Sequence, residues 1–325
     1  MKPLAYVYAA GGMGPEGNVD LNYFQTARAP IAEDARPVPL RDMAKKMKAQ
    51  TPRLVSRFVE LAVLGARQIA IPIAPSTRLY LATGLGDIAA TDAMYYQVMP
   101  PKSEMIMPAR FASAGNNMAA FFVARQAGLV SRNMTLSLEE LSFEQALRMA
   151  CDDMAAGAAR SGLVGGVDET TTPREYYVRR FPLARDHVIG EGSAWVLVGS
   201  IATGAMGGIE PIGEILDAEV CGPGGDEDDR MASITRGVSG DPLVLLAGCR
   251  ADSRAIPHPA GRPHQRHRYL HHTGCFPTAV GLALAGTFQA ACSHTTTFVH
   301  WNRDAMGRYG VLAWRVYARS PGTDR

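Results

Sequence analysis

The segment Asn133 to Met154 changes period in the middle, and that change fixes what kind of fold can contain it. Met134, Leu136 and Leu138 alternate with Asn133, Thr135 and Ser137, the period-two pattern of a strand that buries one face. Glu139, Glu140 and Leu141 break the alternation. Ser142 with Gln145 three positions on reads as a capping box. Phe143, Ala146, Leu147, Ala150 and Met154 come next at helical spacing, so a helix is predicted from Phe143. A strand that passes this sharply into a helix leaves an elbow, where first-turn amides and the helix dipole face one side chain. Glu140 holds that place.

The rest of the chain reads as alternating α/β. Leu4 to Ala9 is an apolar run expected to stop at Gly11-Gly12, and residues 13 to 50 read as surface loop with a short helix. Thr51-Pro52 offers an N-cap and a first-position proline for a helix over the adjoining RLVSRFVELAVLGARQ. Arg78 to Gly84 reads as a strand, and Asn117 to Ala127 as a helix capped by Gly128. Ser161 to Val167 and Gly190 to Val198 are glycine-rich buried strands, with Asp168-Glu169 closing the first and a polar, arginine-rich loop over 171 to 188 between them. A composition shift at Ala202 to Gly208 suggests two halves, 1–203 and 204–325. In the second, Ile212 to Val220 is a strand, Gly222 to Asp229 an acidic loop, Pro242 to Ala247 a strand, Pro277 to Ala291 a helix and Gly310 to Ala318 a strand, an echo of the first half with less decoration.

Composition excludes several classes. A net charge of +2 gives no reason to expect nucleic acid, and five scattered cysteines make a disulfide framework unsuited. No apolar run reaches the roughly eighteen residues of a membrane span, and MKPLAYVYAAGG lacks a signal peptide's layout, so a cytoplasmic protein is expected. His258, His264, His267, His271, His272 and Cys275 crowd one stretch. A metal reading of it is set aside, because the prolines and the absence of an acidic residue do not match a zinc spacing. No cofactor is expected.

The order of elements, together with three local motifs, resembles the thiolase-fold β-ketoacyl synthases and their chain-length-factor partners. The motifs are the elbow, Leu163-Val164-Gly165-Gly166-Val167-Asp168-Glu169 with Gly190-Glu191-Gly192-Ser193-Ala194 after it, and His271-His272-Thr273-Gly274-Cys275-Phe276-Pro277-Thr278-Ala279-Val280 before a small-residue helix. The resemblance covers roughly residues 75 to 325 and implies a thiolase-like α/β fold, two related halves in a layered αβαβα core. It also implies where the chain departs. The nucleophilic cysteine position is Glu140, and a carboxylate forms no thioester. The first-histidine position falls in Gly248-Cys249-Arg250, near Cys249. His272 matches the second histidine, and the family's lysine falls near His267.

By the same resemblance, the chain is expected to be a non-catalytic chain-length-factor-like subunit of a ketosynthase (acyltransferase) complex in polyketide or polyene biosynthesis, related to that of fatty acids. Its partners would be an active β-ketoacyl synthase, in a heterodimer, and acyl carrier protein. Asn133, Met134, Thr135, Leu136, Ser137 and Leu138 would form the dimer interface, and Phe111, Phe121 and Phe122 would line the acyl tunnel. Two alternatives stay open: a malonyl-carrier decarboxylase using Glu140, and a divergent acyltransferase of the same fold using Cys249 or Cys275. Glu140 also has a plain reading as a helix-terminal acid, as His272 does as a structural histidine.

Overall fold

Eleven strands and eight helices succeed one another in the described part of the chain. The computed structural model describes residues 1–20, 37–49, 55–102, 105–108, 111, 114–170, 188–200, 208–238, 240–250, 256–257, 259, 262–290 and 292–319. In order these elements are β1 (Ala5–Gly14), β2 (Gly17–Asn18), α1 (Leu40–Lys46), α2 (Arg57–Ala66), β3 (Arg78–Thr83), α3 (Ile88–Val98), α4 (Asn117–Ala127), β4 (Asn133–Ser137), a 3-10 turn (Glu139–Leu141) and α5 (Ser142–Ala155). Then come β5 (Ser161–Asp168), β6 (Gly192–Gly199), β7 (Gly213–Cys221), α6 (Glu227–Gly237), β8 (Leu243–Ala247), β9 (Gln265–His267), α7 (Leu270–Thr273), α8 (Ala279–Gln289), β10 (Thr296–Arg303) and β11 (Tyr309–Val316). No helix among the described residues is long and apolar enough to cross a membrane.

The sheet order is β4-β3-β5-β6-β1-β7-β11-β10-β8-β9, with β2 paired to β1. Read from each end, the two halves repeat one pattern: third, second, fourth, fifth and first strand. In each half the fifth strand, β6 or β11, runs antiparallel to both neighbours, while the second strand pairs parallel with the third and fourth. The halves join through β1 and β7, antiparallel from Ala5↔Ile215 to Val7↔Gly213. The expected junction at 203/204 lies outside the described residues.

Alternation along the strands builds the layers. Tyr80, Val164, Val196 and Val198 on one half, and Phe298, Leu312, Trp314 and Val316 on the other, face a shared central core containing Phe143, Ala146, Leu147 and Ala150 of α5 and most of α8. The next residues along, Leu79, Leu81, Leu163, Trp195 and Leu197, face α2 and α4 instead. Val299, Trp301, Val311 and Ala313 face α6. Helices therefore cover both outer faces and fill the middle, the αβαβα layering of the thiolase-like fold. Helix α8, in the middle layer, is buried from Ala279 to Phe288, as its apolar sequence on every side demands.

Several local expectations change. β1 runs on through Gly11 and Gly12 to Gly14, because its ladder to β6 continues through Gly11↔Trp195 and Gly12↔Ala194 to Met13↔Ser193, and glycine is needed there for close packing: a Cβ at Gly11 would lie 2.8 Å from Gln68 Cβ. Helix α2 starts at Arg57 under a Ser56 cap whose hydroxyl accepts from Val59 N at 3.3 Å, and Thr51-Pro52 lies outside the described residues, as does 171–187 of the polar loop. Glu227, Asp228 and Asp229 are not loop but the first turn of α6, where acids meet the positive end of the helix dipole and Asp226 caps. β4 buries no clean face: Asn133 and Ser137 are exposed, the three residues between are half-buried, and Leu138 lies past its end. It is an end strand, bonded only to β3 among the described strands, with its other edge open.

Candidate functional site

The elbow is held by a hydroxyl. Ser142 Oγ accepts from Leu138 N at 2.8 Å and lies 2.8 Å from Thr83 O and 2.7 Å from Glu139 O, to which it donates its one proton. Ser142 thus staples the turn to the end of β3. It is the first residue of α5 and makes no capping box, since the helix has no side-chain cap. Glu139 adopts φ 56°, a left-handed conformation that costs a residue with a Cβ on the order of 1 kcal/mol.

That turn drives Glu140 inward, where it is 1% exposed. Its carboxylate pairs with the Arg250 guanidinium, and its main-chain oxygen accepts from Asn302 Nδ2 at 2.9 Å. Burial raises the Glu140 carboxyl above its ordinary range, with Arg250 opposing. Arg250 comes directly after β8 and Gly248-Cys249. Gly248 has no room for a side chain, because a Cβ there would lie 2.2 Å from Asn302 Oδ1. The loop after β8 and the end of β10 thereby reach the elbow together.

Behind the elbow lies a buried polar group. Glu144, one helical turn past Glu140, is fully buried, and burial pushes its carboxyl up to about 8. His300 is fully buried too, and burial lowers its imidazole to about 3, so it is neutral. Its Nδ1 stands 3.7 Å from Glu144 Oε1, and its Nε2 lies 3.0 Å from the Tyr269 hydroxyl. Burial, with Cys249, Cys275 and Glu144 nearby, raises the Tyr269 phenol. Cys249 Sγ donates weakly to Phe276 O at 3.6 Å, and neither Cys249 nor Cys275 is in a disulfide.

Asp168 ties the two halves beneath this group. Its Oδ1 accepts from Thr83 Oγ1 at 3.0 Å and Gly84 N at 2.8 Å, and its Oδ2 from Thr278 N at 3.0 Å and Thr278 Oγ1 at 2.7 Å. Burial lifts the carboxyl to about 6 against these bonds.

Glu140 therefore has the basic partner that a buried carboxylate requires. His272, mostly buried in α7, stacks its ring on His267 at 6.1 Å between centroids. Phe111 is 69% and Phe121 47% exposed on the protomer, whereas Phe122 packs on the core under α2 and meets Phe121 edge to face at 5.4 Å. Asn133 to Ser137 line the open sheet edge, with Leu138 just beyond. His258 of the histidine-rich stretch lies outside the described residues, and no group of three His, Cys, Asp or Glu among the described residues is placed to hold a metal. Arg250, Asn302, Glu144 and His300 were not anticipated as partners of the elbow. The one signal for Glu144 was its place in the first turn of the helix that follows the elbow, four residues after Glu140.

No family model matches the chain, and no curated protein does. Solved structures do. The ishigamide ketosynthase/chain length factor superposes with a TM-score of 0.72 at 16% identity, covering 97% of this chain and 99% of that one. AntDE:AntF, a type II PKS acyl-carrier protein in complex with its ketosynthase, gives 0.70 at 12% identity over 97% and 100%. The ketosynthase ApeO in complex with its chain length factor ApeC from Xenorhabdus doucetiae gives 0.54 at 13% identity over 97% and 99%. At these identities the likeness establishes the thiolase-like fold of ketosynthases.

Proposed function

We propose that this chain is a non-catalytic, chain-length-factor-like subunit that pairs with an active β-ketoacyl synthase and shapes its acyl tunnel while polyketide or polyene chains are elongated on acyl carrier protein in the cytoplasm. The observation that carries the reading is the Glu140–Arg250 pair. Where condensation needs a thiol with a base beside it, this elbow presents a buried carboxylate already neutralised by a guanidinium from the loop after β8. Cys249 and Cys275 are thiols near that place, but neither stands on the elbow, and Cys249 is bonded to a main-chain carbonyl.

The proposed partner face is the open edge of β4. Helix α4 packs on that strand, and the nearby connection carries unusually exposed apolar side chains: Tyr95, Tyr96, Met105, Met107 and Phe111, with Phe121 on α4 itself. Helix α3 buries none of its residues in the single protomer. An open strand edge beside an apolar face of this kind supports pairing with a second subunit. Phe111, Phe121 and Phe122 would then meet the tunnel at the interface. We further take the chain as two related halves meeting at 203/204.

The malonyl-carrier decarboxylase reading needs the Glu140 carboxylate open to substrate, and its burial against Arg250 opposes that. The deciding experiment is co-expression with candidate ketosynthases, with size-exclusion chromatography and chain elongation read side by side. The reading expects a heterodimer whose elongation changes by no more than a few fold in Glu140→Gln. A stable monomer that releases carbon dioxide from malonyl carrier, and stops doing so in Glu140→Ala, would overturn it.

A further inference from the structure

The group behind the elbow holds more polar atoms than its own bonds satisfy. Glu140, Glu144, His300 and Asn302 are each at most 3% exposed. Five of their atoms, Glu140 Oε2, both Glu144 oxygens, His300 Nδ1 and Asn302 Oδ1, make no hydrogen bond among the described residues. Groups buried this deeply are almost always paired, with protein or with ordered water, and an orphan is costly. These orphans are not scattered. They belong to the chain entering α5 and to one face of β10, where His300 and Asn302 stand two residues apart. Asn302 Nδ2 donates to Glu140 O at 2.9 Å, and that bond fixes the amide so that Oδ1 is the atom left over. On two sides only backbone borders the group, with Gly248 beside Asn302 Oδ1 and Gly310 beside the Glu144 carboxyl.

The separations and the proton count decide what kind of partner fits. His300 Nδ1 and Glu144 Oε1 are 3.7 Å apart, too far for a direct hydrogen bond and within the span that one water bridges with two bonds of about 2.8 Å. The Asn302 side chain lies close enough to favour the ionised form of Glu144, without the geometry of a hydrogen bond to it. The Tyr269 phenol keeps its proton and has His300 Nε2 as its partner at 3.0 Å, so the proton of the neutral ring is assigned to Nδ1, on the side of Glu144. Nδ1–H and the protonated Glu144 carboxyl are then two donors among acceptors on Glu144, Asn302 and Glu140. A molecule that both gives and takes hydrogen bonds completes such a mixture. A cation accepts none and would meet both protons.

We propose that the chain binds a structural water molecule here, which accepts from His300 Nδ1–H and donates to Glu144 and to Asn302 Oδ1. Three bonds is the usual complement of a buried water, and the Glu144 proton is left for a fourth. The water joins α5 to β10 and, through His300, to Tyr269 at the start of α7, so that the elbow and the helix carrying His272 become one hydrogen-bonded unit. The site stands whether or not the chain pairs with a ketosynthase.

The experiment is a crystal structure of the protein, alone or with its ketosynthase, from crystals grown with and without rubidium chloride, with anomalous data collected at the rubidium edge. We expect a peak of water strength within about 3.2 Å of His300 Nδ1, Glu144 and Asn302 Oδ1, with no anomalous signal. The peak should survive in Glu144→Gln, which keeps one acceptor and one donor, and vanish in Glu144→Met, which fills the same length with no oxygen. An anomalous peak at this place overturns water in favour of a monovalent cation. A Glu144 carboxyl closed directly on His300 with no peak between them, or a peak unchanged in Glu144→Met, overturns the site. Should Glu144→Met not fold, the wild-type and Glu144→Gln structures still decide.

Discussion

Glu144 is the most direct test of the buried group behind the elbow. Its carboxyl has an ordinary value of 4.5 and is pushed to about 8 in the folded chain, with burial the dominant cause. The folded state therefore keeps a proton that the unfolded state releases above pH 4.5, and stability falls as pH rises from there to about 8, by about 1.4 kcal/mol per unit. At pH 7 the cost of holding that proton is about 3 kcal/mol, and near pH 5 it is under about 1 kcal/mol. Glu144→Gln keeps the shape of the protonated acid, one acceptor and one donor, without a proton to lose. The variant should match wild type near pH 5 and exceed it by about 3 kcal/mol at pH 7. Urea unfolding of both proteins at half-unit steps from pH 5 to 8 measures this. Asp168, lifted to about 6, and Glu169, lifted to about 8, slope the same way, so the wild-type curve alone would not isolate Glu144, whereas the difference between the curves does. Parallel curves across the whole range would show that Glu144 carries no proton and refute the argument.

Three further outcomes are expected. Arg250→Ala leaves the Glu140 carboxylate buried without its guanidinium and should cost about 3–5 kcal/mol; Arg250→Met with Glu140→Gln should recover much of that, and a double-mutant cycle by urea unfolding that shows additivity would deny the pairing. Glu140→Cys should gain neither thioester labelling by acyl carrier nor elongation, because no histidine base replaces Cys249 or Arg250, and acyl transfer seen by mass spectrometry would contradict this. Asp168→Asn turns an amide NH2 toward donors that now meet a carboxylate oxygen, on Gly84 or on Thr278, and should lower stability by about 2–4 kcal/mol, visible as a lower melting temperature with the fold intact by circular dichroism.

Strands that bury apolar side chains on both faces were readable, and strands that bury polar ones were not. β3, β5, β6 and β8 are nearly continuous apolar or glycine runs, and α4 announces its end with Gly128 at φ 68°. β10 escaped because Phe298, His300 and Asn302 share the face toward the central layer. Two polar residues there spoil the alternation that would have marked the strand. The acids in the first turn of α6 suggested a loop, although the start of a helix is where acids are favoured. In the site, the locus of Glu140 is set by local period alone. Its partner is not, because Arg250 lies 110 residues away and is brought in by a loop whose path depends on Gly248 yielding to Asn302. Spacing rules describe one element at a time, and this contact joins two.

The two ends of the sheet are unlike, although the halves that supply them repeat the same strand order. One ends in the five residues of β4, backed by exposed apolar side chains, and the other in the three residues of β9, which carries the exposed Arg266 and is followed by the exposed Arg268. A sheet with two receptive ends can extend indefinitely, copy after copy. With one receptive end, growth stops once two such ends meet about a pseudo-twofold axis, since each remaining end presents like charge to any newcomer. On the proposed pairing through β4, the asymmetry between β4 and β9 would hold the assembly to two subunits.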